Sequence, residues 1–398
     1  MNGRLFRLLL TLPGALLIAC SPMVEAAQVT ISARYQGGTD GHFENTTPPA
    51  PFCSGWLGTC EDMETVGVPI SFAKTSIYRA PDARDQFYMK VPGTRKVQVV
   101  HQGTGESHEV SFEITAFAQA YQVRSEDYSP ASGTDVKGGC QFVTGELAEP
   151  DFQFGAYLWS VRNPSSPQPC YSSATYGSVG DVRVTDFTDF GISYRLFLPP
   201  PRRLGQGLYR GSVTFRIGPG GDFDFGNQVS DLSSDTLVVD FELDVQHAFV
   251  LQFPAGSDIA VLEPPGGWNA WLGGRGAPRR LYRDVPMRMW STGPFKVYKR
   301  CQYTLAGACA IRNPAGVQAP VEVSLSLPEG VVHSGQPVRR LAIPTGPGAA
   351  LRFEHLTIVS DRPGRLHFEA ASSAVQTMLS QPGTRFAGEV TVVFDAEL

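Results

Sequence analysis

The stretch RFAGEVTVVFDAEL, residues 385–398, alternates apolar and polar side chains along most of its length. Its apolar positions, counted in even steps, are Phe386, Val390, Val392, Phe394, Ala396 and Leu398. A period of two indicates a half-buried β-strand, because a helix would spread the same residues around its axis. No further strand follows in the sequence, so one edge is exposed unless another segment covers it. We therefore expect an unpaired strand edge here. The functional question is which other segment or protein pairs with it.

The composition favours many short strands and excludes several function classes. The chain has 398 residues, which is enough for two domains that each bury a core. Only 18% of the residues are charged, and 42 glycines and 31 prolines supply turns, which argues against coiled coil and disorder. The net charge of −5 offers no basic surface, so we expect no nucleic-acid partner.

Strand patterns recur along the whole chain. The clearest is LVVDFELDV, residues 237–245, whose odd-numbered positions are all apolar. Residues 96–100 and 109–115 alternate on either side of a glycine turn and predict a hairpin. Further strands are predicted at 28–34, 152–161, 192–198, 209–217, 249–253, 295–301, 321–327, 350–358 and 365–370. No window of convincing length has the period of an amphipathic helix, so we predict an all-β chain.

A second series of strands begins after Val245–His247, which predicts a domain boundary there. Residues 27–245 would form an N-terminal domain and residues 246–398 a C-terminal domain. Both lengths suit β-sandwiches. The junction contains no Gly/Ser run, so we expect a short linker that holds the two domains in a stiff line.

The N-terminus has the features of an export signal. Arg4 and Arg7 precede an apolar run over residues 8–19, and Val24-Glu25-Ala26 fits a signal-peptidase site. We predict a signal peptide over residues 1–26. An alternative remains open, because Leu17-Ile18-Ala19-Cys20 resembles a bacterial lipobox that would leave a lipidated Cys20. Elsewhere no segment approaches the ~20 apolar residues of a spanning helix.

Six cysteines besides Cys20 fall into three sequential pairs. The pairs are Cys53 and Cys60, Cys140 and Cys170, and Cys301 and Cys309. Export to an oxidising compartment favours disulfides, and six cysteines allow about 15 connectivities. Pairing of neighbours is the simplest, since each bond then closes a local loop. A metal site is disfavoured because no histidine lies near any pair.

The sequence contains no recognisable catalytic or cofactor motif. It lacks the Gly-x-Ser-x-Gly elbow, His-Glu-x-x-His and a phosphate-binding loop. The seven histidines are scattered, and none is paired in sequence with a nucleophile. We expect neither an enzyme nor a cofactor.

Three features have weak binding interpretations beside ordinary structural ones. Residues 222–227, DFDFGN, could offer oxygen ligands to calcium, but a solvated turn explains them better. Arg202 and Arg203 could contact an anionic sugar or lipid headgroup, but a charged surface loop is the simpler interpretation. Trp268 and Trp271 could stack on a sugar or, more commonly, pack against a glycine-rich loop.

Several stretches together resemble one protein family. They are the loop from Cys53 to Cys60, the pair Cys140 and Cys170, the segments 194–199 and 207–215, the segments 249–254 and 265–268, and the strand 388–395. In order and spacing they resemble the tip adhesins of the alternate chaperone–usher pathway. These are the pilus initiators of class 5 enterotoxigenic fimbriae and the CblD-like minor pilins.

The resemblance implies two immunoglobulin-like β-sandwich domains in tandem. The N-terminal domain would bind a host glycan or glycoprotein receptor. The C-terminal pilin domain would lack its final strand, which a periplasmic chaperone supplies first and the N-terminal extension of the major pilin replaces. An outer-membrane usher would then export the fibre, leaving this chain at the fimbrial tip on the cell surface.

The implied acceptor groove is formed by Val390, Val392, Phe394, Leu398, Phe249 and Leu251, with the Leu398 carboxylate as a candidate chaperone anchor. An ordinary pilin donates a flexible N-terminal strand, whereas this chain opens with a domain of about 220 residues. It would therefore accept a strand without donating one.

One departure from the family concerns the receptor. Basic residues implicated in receptor binding in enterotoxigenic members have no counterpart in residues 217–222, IGPGGD. The receptor site stays unassigned, with Arg202 and Arg203 as weak candidates. The alternatives from other classes are a structural lipoprotein anchored at Cys20 and a carbohydrate-active enzyme, for which no carboxylate pair can be placed in one cleft.

Overall fold

A computed structural model describes residues 26–38, 41–55, 57–124, 135–147, 154–173, 177–272 and 276–396. The predicted signal peptide, apart from Ala26, lies outside the described residues. So do the lipobox cysteine Cys20 and the predicted groove residue Leu398. None of the helices in the described ranges has the length and apolar composition that crossing a bilayer requires.

Fifteen strands precede residue 247 in the described ranges. They are β1 (Ala27–Gln36), β2 (Glu44–Asn45), β3 (Glu64–Gly67), β4 (Phe72–Ile77), β5 (Phe87–Met89), β6 (Arg95–His101), β7 (Ser107–Val123), β8 (Lys137–Gly138), β9 (Cys140–Leu147), β10 (Phe154–Val161), β11 (Cys170–Ser172), β12 (Val182–Phe197), β13 (Gly207–Arg216), β14 (Val229–Ser230) and β15 (Thr236–Gln246).

Twelve described strands follow. They are β16 (Phe249–Gln252), β17 (Leu281–Ser291), β18 (Phe295–Cys301), β19 (Tyr303–Leu305), β20 (Ala308–Arg312), β21 (Gln318–Ser326), β22 (Val331–His333), β23 (Gln336–Pro337), β24 (Leu341–Ala342), β25 (Leu351–His355), β26 (Val359–Ala370) and β27 (Val390–Asp395). The described helices are α1 (Leu57–Cys60), α2 (Gly267–Leu272) and α3 (Ser372–Leu379), with short 3₁₀ turns at Pro51–Ser54, Ala83–Asp85, Pro201–Arg203 and Pro347–Ala349.

The first group of strands folds around a core rich in aromatic rings. Its long sheet has the order β14-β4-β12-β7-β6-β13-β15-β1-β2, with β3, β9 and β10 attached, and β5-β11-β8 form a small separate sheet. The predicted hairpin around the glycine turn is confirmed, since β6 and β7 pair antiparallel. Phe72 stacks on Phe187 and Phe225 in the core, and Trp159 is fully buried.

The last strand of this first group is covered on both edges. Strand β15 pairs antiparallel with β13 and parallel with β1, from Ala27 opposite Leu237 to Gln36 opposite Gln246. Its five apolar positions, Leu237, Val239, Phe241, Leu243 and Val245, are completely buried. Strand β1, near the start of the chain, thus covers the edge of β15 that would otherwise be exposed.

The second group forms a sandwich of two sheets. One has the order β16-β17-β26-β21-β20-β19 with β24 attached, and the other the order β23-β22-β25-β18-β27. Both sheets contribute to one core, with Met287 and Leu366 from the first and Phe295 and Phe353 from the second. The all-β class and the tandem β-sandwich architecture predicted from sequence are confirmed.

The two groups of strands have separate sheets and separate cores. Among the described strands, no ladder joins β1–β15 to β16–β27, and the two main apolar clusters share no residue. The division at residue 245 remains a prediction of the sequence, and this arrangement is compatible with it.

Strand β17 and helix α3 are two of the elements that the sequence patterns do not predict. Strand β17 carries Pro286, which lacks a donor for a sheet ladder and usually argues against a strand interior. It is accommodated because β16 pairs only with residues 288–291 and leaves that part of β17 without a neighbour on one side. Helix α3 is compatible with the expectation that no long amphipathic helix exists. It has only eight residues, and it packs Ala374 and Val375 against a small third cluster.

Three disulfides join the neighbouring cysteines. They are Cys53–Cys60, Cys140–Cys170 and Cys301–Cys309. The second connects β9 to β11, and the third connects β18 to β20. Each bond therefore ties together elements within one group of strands.

Candidate functional site

The largest cavity described lies in the second sandwich. It is an apolar cleft of about 1530 Å³ between β27 on one side and β16 and β17 on the other. Its lining includes Leu251, Val285, Leu366, Phe368, Val375, Phe386, Val390, Val392 and Phe394. A cleft of this size and composition has the character of a binding site for an apolar ligand or chain segment.

One wall of the cleft is the edge strand β27. It pairs antiparallel with β18, from Val390 opposite Cys301 to Asp395 opposite Lys296, and with no other described strand. Its second edge therefore presents backbone donors and acceptors that another strand can pair with.

The side chains of β27 show the same lack of cover. Val390, Val392 and Phe394 turn toward the core but remain only half-buried, while Thr391 and Asp395 are exposed. The corresponding apolar positions of β15 are fully buried under β1. The two strands share one alternation, so the difference arises from the missing neighbour and not from the residues themselves.

The opposite wall is also incomplete. Strand β16 covers only the end of β17, where Leu251 lies opposite Met289. Beyond it, Val285 and Leu366 form the floor of the cleft, and both are nearly buried. Along the first half of β17 this edge has only an isolated bridge between Tyr282 and Glu263, and no described strand continues β16 there.

One end of the cleft is closed by aromatic rings. Phe249 lies 5.1 Å from Phe295 and 6.2 Å from Phe394, measured between ring centroids. Phe249 belongs to β16, the first strand after the junction at residues 246–248. The lining of the cleft also includes Phe386 and the α3 residues Val375 and Met378.

The rim carries large apolar side chains that are exposed to solvent. They are Phe253, Ile259, Val261, Trp268 and Leu379. Trp268 and Trp271 contact each other edge to face at 5.6 Å between centroids, and both line the cleft. Contiguous exposed apolar surface of this kind marks interaction sites on proteins.

The structure distributes the predicted groove residues as follows. Val390, Val392, Phe394 and Leu251 line the cleft, and Phe249 packs at its closed end. The sequence analysis missed the floor and the far rim, which include Val285, Leu366, Phe368, Val375, Met378 and both tryptophans. The one available sequence signal was Pro286, because a proline within a strand indicates an edge strand.

A histidine contact corrects the expectation that no histidine pairs with a nucleophile. The Ser326 hydroxyl lies 2.8 Å from His367 Nε2, and His367 Nδ1 lies 2.7 Å from Asp284 Oδ1. The imidazole is only 4% exposed, so a substrate carbonyl has little access to it. The Arg340 amide also donates to the Ser326 oxygen at 2.9 Å. The three residues lie on β21, β26 and β17 and act as a polar bridge across adjacent strands.

Of the features with weak binding interpretations, only Trp268 and Trp271 line the cleft, and Arg202, Arg203 and residues 222–227 lie outside its lining. Arg202 lines a pocket of about 380 Å³ at the first group of strands, together with Glu64 and Tyr194, and Arg203 is an exposed neighbour outside it. The carboxylates of the possible calcium turn are occupied, because Asp224 pairs with Arg84 at 2.6 Å and Asp222 with Arg95 at 2.5 Å. In the described ranges no three acidic, histidine or cysteine side chains are grouped as a metal site would require.

Comparison with known proteins gives little further guidance. No family model matches the chain, and no curated protein matches it. Among solved structures the chain is similar to the CsuC–CsuE complex of Acinetobacter baumannii, described as a chaperone–tip adhesion subunit pre-assembly complex from archaic chaperone-usher Csu pili. The identity is 8%, the match covers 93% of this chain and 99% of the other, and the TM-score is 0.21. So low a score carries no argument about this chain.

Proposed function

We propose that this chain is a non-enzymatic pilus tip adhesin that accepts a donor strand in the cleft of its second sandwich. The observation that carries the proposal is the uncovered apolar face of β27, whose alternation matches that of the fully covered β15. An extended segment laid along β27 would complete its backbone pairing. Alternate side chains of that segment would enter the apolar cleft.

The proposed partners are those that the family resemblance implies. A periplasmic chaperone would occupy the cleft first, and the N-terminal extension of the major pilin would replace it during export through an outer-membrane usher. Every residue that lines the cleft belongs to the second group of strands. An incoming strand would therefore leave the first sandwich free to bind a receptor, which we propose to be a glycan or glycoprotein at the cell surface.

The first test compares two forms of the mature chain, residues 27–398. Expressed alone in the periplasm, it should aggregate or be degraded, since the cleft exposes apolar surface and an unpaired edge. Fusion of the major pilin's N-terminal peptide after Leu398 should yield a soluble monomer. A stable monomer without the peptide, and with no affinity for it, would disprove the proposal.

The second test places a charge on each face of β27. Val392→Asp should abolish capture of the chaperone or peptide, because an unpaired carboxylate buried by the incoming strand costs several kcal/mol. Thr391→Asp is the matched control, since it changes the neighbouring exposed position of the same strand. Capture would be measured by co-purification. Recovery of the Val392→Asp chain at the level of Thr391→Asp would contradict the assigned face.

The lipoprotein alternative is tested at the N-terminus. Cleavage before Ala27 would leave β1 intact, because the ladder to β15 begins with Ala27 opposite Leu237 and the Ala27 amide donates to the Ser234 hydroxyl at 3.1 Å. Mass spectrometry of the mature chain should find an unmodified Ala27. A diacylated Cys20 would favour the anchored structural lipoprotein instead.

A further inference from the structure

A second candidate binding surface lies on the small sheet β5-β11-β8 of the first group. Tyr171 of β11 is directly opposite Tyr88 of β5 on one side and Lys137 of β8 on the other. Residues directly opposite in antiparallel strands project to the same face of a sheet. The three residues therefore share one face, on which Tyr88 is buried, Tyr171 half-buried and Lys137 exposed.

This face adjoins a pocket of about 560 Å³. The pocket is lined by Tyr88, Tyr171, Arg162, Asn163 and Gln168, together with Ala83, Pro169 and two glycines. Aromatic surface beside a few hydrogen-bonding groups is the usual composition of a small-ligand site.

The polar groups of this pocket are available to a ligand. The side chains of Arg162 and Gln168 have no hydrogen-bond or ion-pair partner among the described residues and are exposed. Asn163 accepts a hydrogen bond from the Ser165 hydroxyl at 2.9 Å through its oxygen, which leaves its NH₂ group free to donate. By contrast, the nearby Arg84 is occupied, since its two terminal nitrogens lie 2.6 and 3.0 Å from the Asp224 carboxylate.

The charge around the pocket favours an anion. No carboxylate is among the lining residues, and Arg162 contributes a guanidinium that can hold a carboxylate or sulfate through two parallel hydrogen bonds. Lys137 on the same face forms an ion pair with Asp135 at 3.6 Å, so Arg162 is the cation that the proposal uses. The pocket near Arg202 differs in this respect, because Glu64 forms part of its lining and would repel an anion.

The base of the pocket is rigid. Cys140 and Cys170 form a disulfide, and each is adjacent in sequence to a lining residue, Gly139 and Tyr171. A fixed base lowers the entropy lost when a ligand is bound.

We propose that this pocket binds a saccharide carrying a carboxylate or sulfate group. A pyranose ring would pack on Tyr171, the acidic group would face Arg162, and the two amide side chains would bind hydroxyls. This assignment rests on the proposed adhesin role, whose receptor it narrows to an acidic glycan.

The test measures glycan binding by the mature chain in the soluble form that the donor-peptide experiment identifies. Sialyllactose and a sulfated galactose are the acidic probes, and lactose is the neutral one. We expect binding of an acidic probe, with a loss of about tenfold or more for Arg162→Ala, since a hydrogen-bonded charge pair is removed. Tyr171→Ala should lose binding as well, whereas Tyr171→Phe should retain it because the ring remains.

Arg203→Ala is the matched control, since it removes an exposed arginine of the same group of strands outside this pocket. Binding lost in Arg203→Ala and kept in Arg162→Ala would overturn the assignment, as would binding of lactose alone or of no probe. Peptide capture by the same variants should be unchanged, so a failure of the glycan site can be distinguished from a failure of strand acceptance.

Discussion

At the scale of single residues, the second core contains a histidine with an unusual environment. His355 is 4% exposed, and neither of its ring nitrogens has a hydrogen-bond partner in the described structure. Its ring lies 5.8 Å from that of Phe295 between centroids. Burial, followed by the neighbouring His247, lowers the pKa of His355 to about 4. The imidazole is therefore neutral in the folded protein at neutral pH.

This pKa predicts that stability falls with acidity. The unfolded chain binds a proton on His355 below about pH 6.5, while the folded chain does so only near pH 4. Stability is therefore lost as the pH drops from about 6.5 to 4, by up to roughly 3 kcal/mol. The replacement His355→Leu should flatten this part of the profile, measured as the unfolding temperature of the second sandwich against pH.

The control for that experiment is His333→Leu on the adjacent strand β22. His333 is partly exposed, and its Nδ1 lies 2.8 Å from the Arg352 carbonyl oxygen. The control should keep the wild-type slope between pH 6.5 and 4. An unchanged slope in His355→Leu would show that another group is responsible for the acid sensitivity.

At the scale of elements, the comparison of β15 with β27 separates pattern from context. Both strands alternate apolar and polar residues, and each pairs antiparallel along one edge. The partner of β15 is β13, and the partner of β27 is β18. Strand β15 has β1 along its second edge, whereas β27 has no described strand there. The proposed role of β27 depends on that missing neighbour.

The disulfides allow a prediction about these elements. Cys140–Cys170 spans 30 residues and Cys301–Cys309 spans eight. Chain entropy then predicts a loss of about 4 kcal/mol when the first is removed and about 2.5 kcal/mol when the second is removed. The double variants Cys140→Ala/Cys170→Ala and Cys301→Ala/Cys309→Ala would be compared by calorimetry.

Each pair should lower the unfolding temperature of only the sandwich that contains it. The two variants are thus controls for each other. A single transition shifted by both would mean that the two groups of strands unfold as one unit, contrary to the division at residue 245.

At the scale of the whole molecule, His247 connects the two groups of strands. Its Nε2 lies 2.8 Å from the Leu204 carbonyl oxygen, and its ring contacts Tyr35 edge to face at 5.5 Å between centroids. On the other side its Nδ1 lies 3.3 Å from the Thr292 hydroxyl. These contacts join the two groups of strands at the junction, and the stiff line that the sequence predicts stays a prediction.

The fit around His247 requires a glycine at position 293. A β-carbon there would lie 2.2 Å from the imidazole ring, which is too close for any side chain. Gly293→Ala should therefore displace His247 and loosen the junction, with a larger radius of gyration in small-angle scattering and faster proteolysis at residues 246–248. Peptide capture should persist, because the cleft lies away from this contact.

Gly348→Ala is the matched control, since a β-carbon at that position meets no atom within 4 Å and its backbone angle suits any residue. Its scattering curve should equal that of the wild type. A Gly293→Ala chain with an unaltered curve would show that the junction is held by other contacts.

The sequence was sufficient for the fold class, the early hairpin and the half-buried face of the closing strand, because alternation and turn residues act over a few neighbours. It could not reveal β17, whose Pro286 is tolerated only where β16 ends. Nor could it reveal the bridge of Ser326, His367 and Asp284, which are brought together by strand pairing across long stretches of chain.

Local pattern specified which residues of β15 and of β27 face inward, and the pattern is the same in both. Whether that face is covered depends on pairing with a distant segment, as between β1 and β15, which are separated by about 200 residues. Such pairing is a property of the assembled sheets and has no local signal. The tertiary structure therefore decided that β15 is paired along both edges in the first sandwich and that the second sandwich retains an apolar cleft along its last strand.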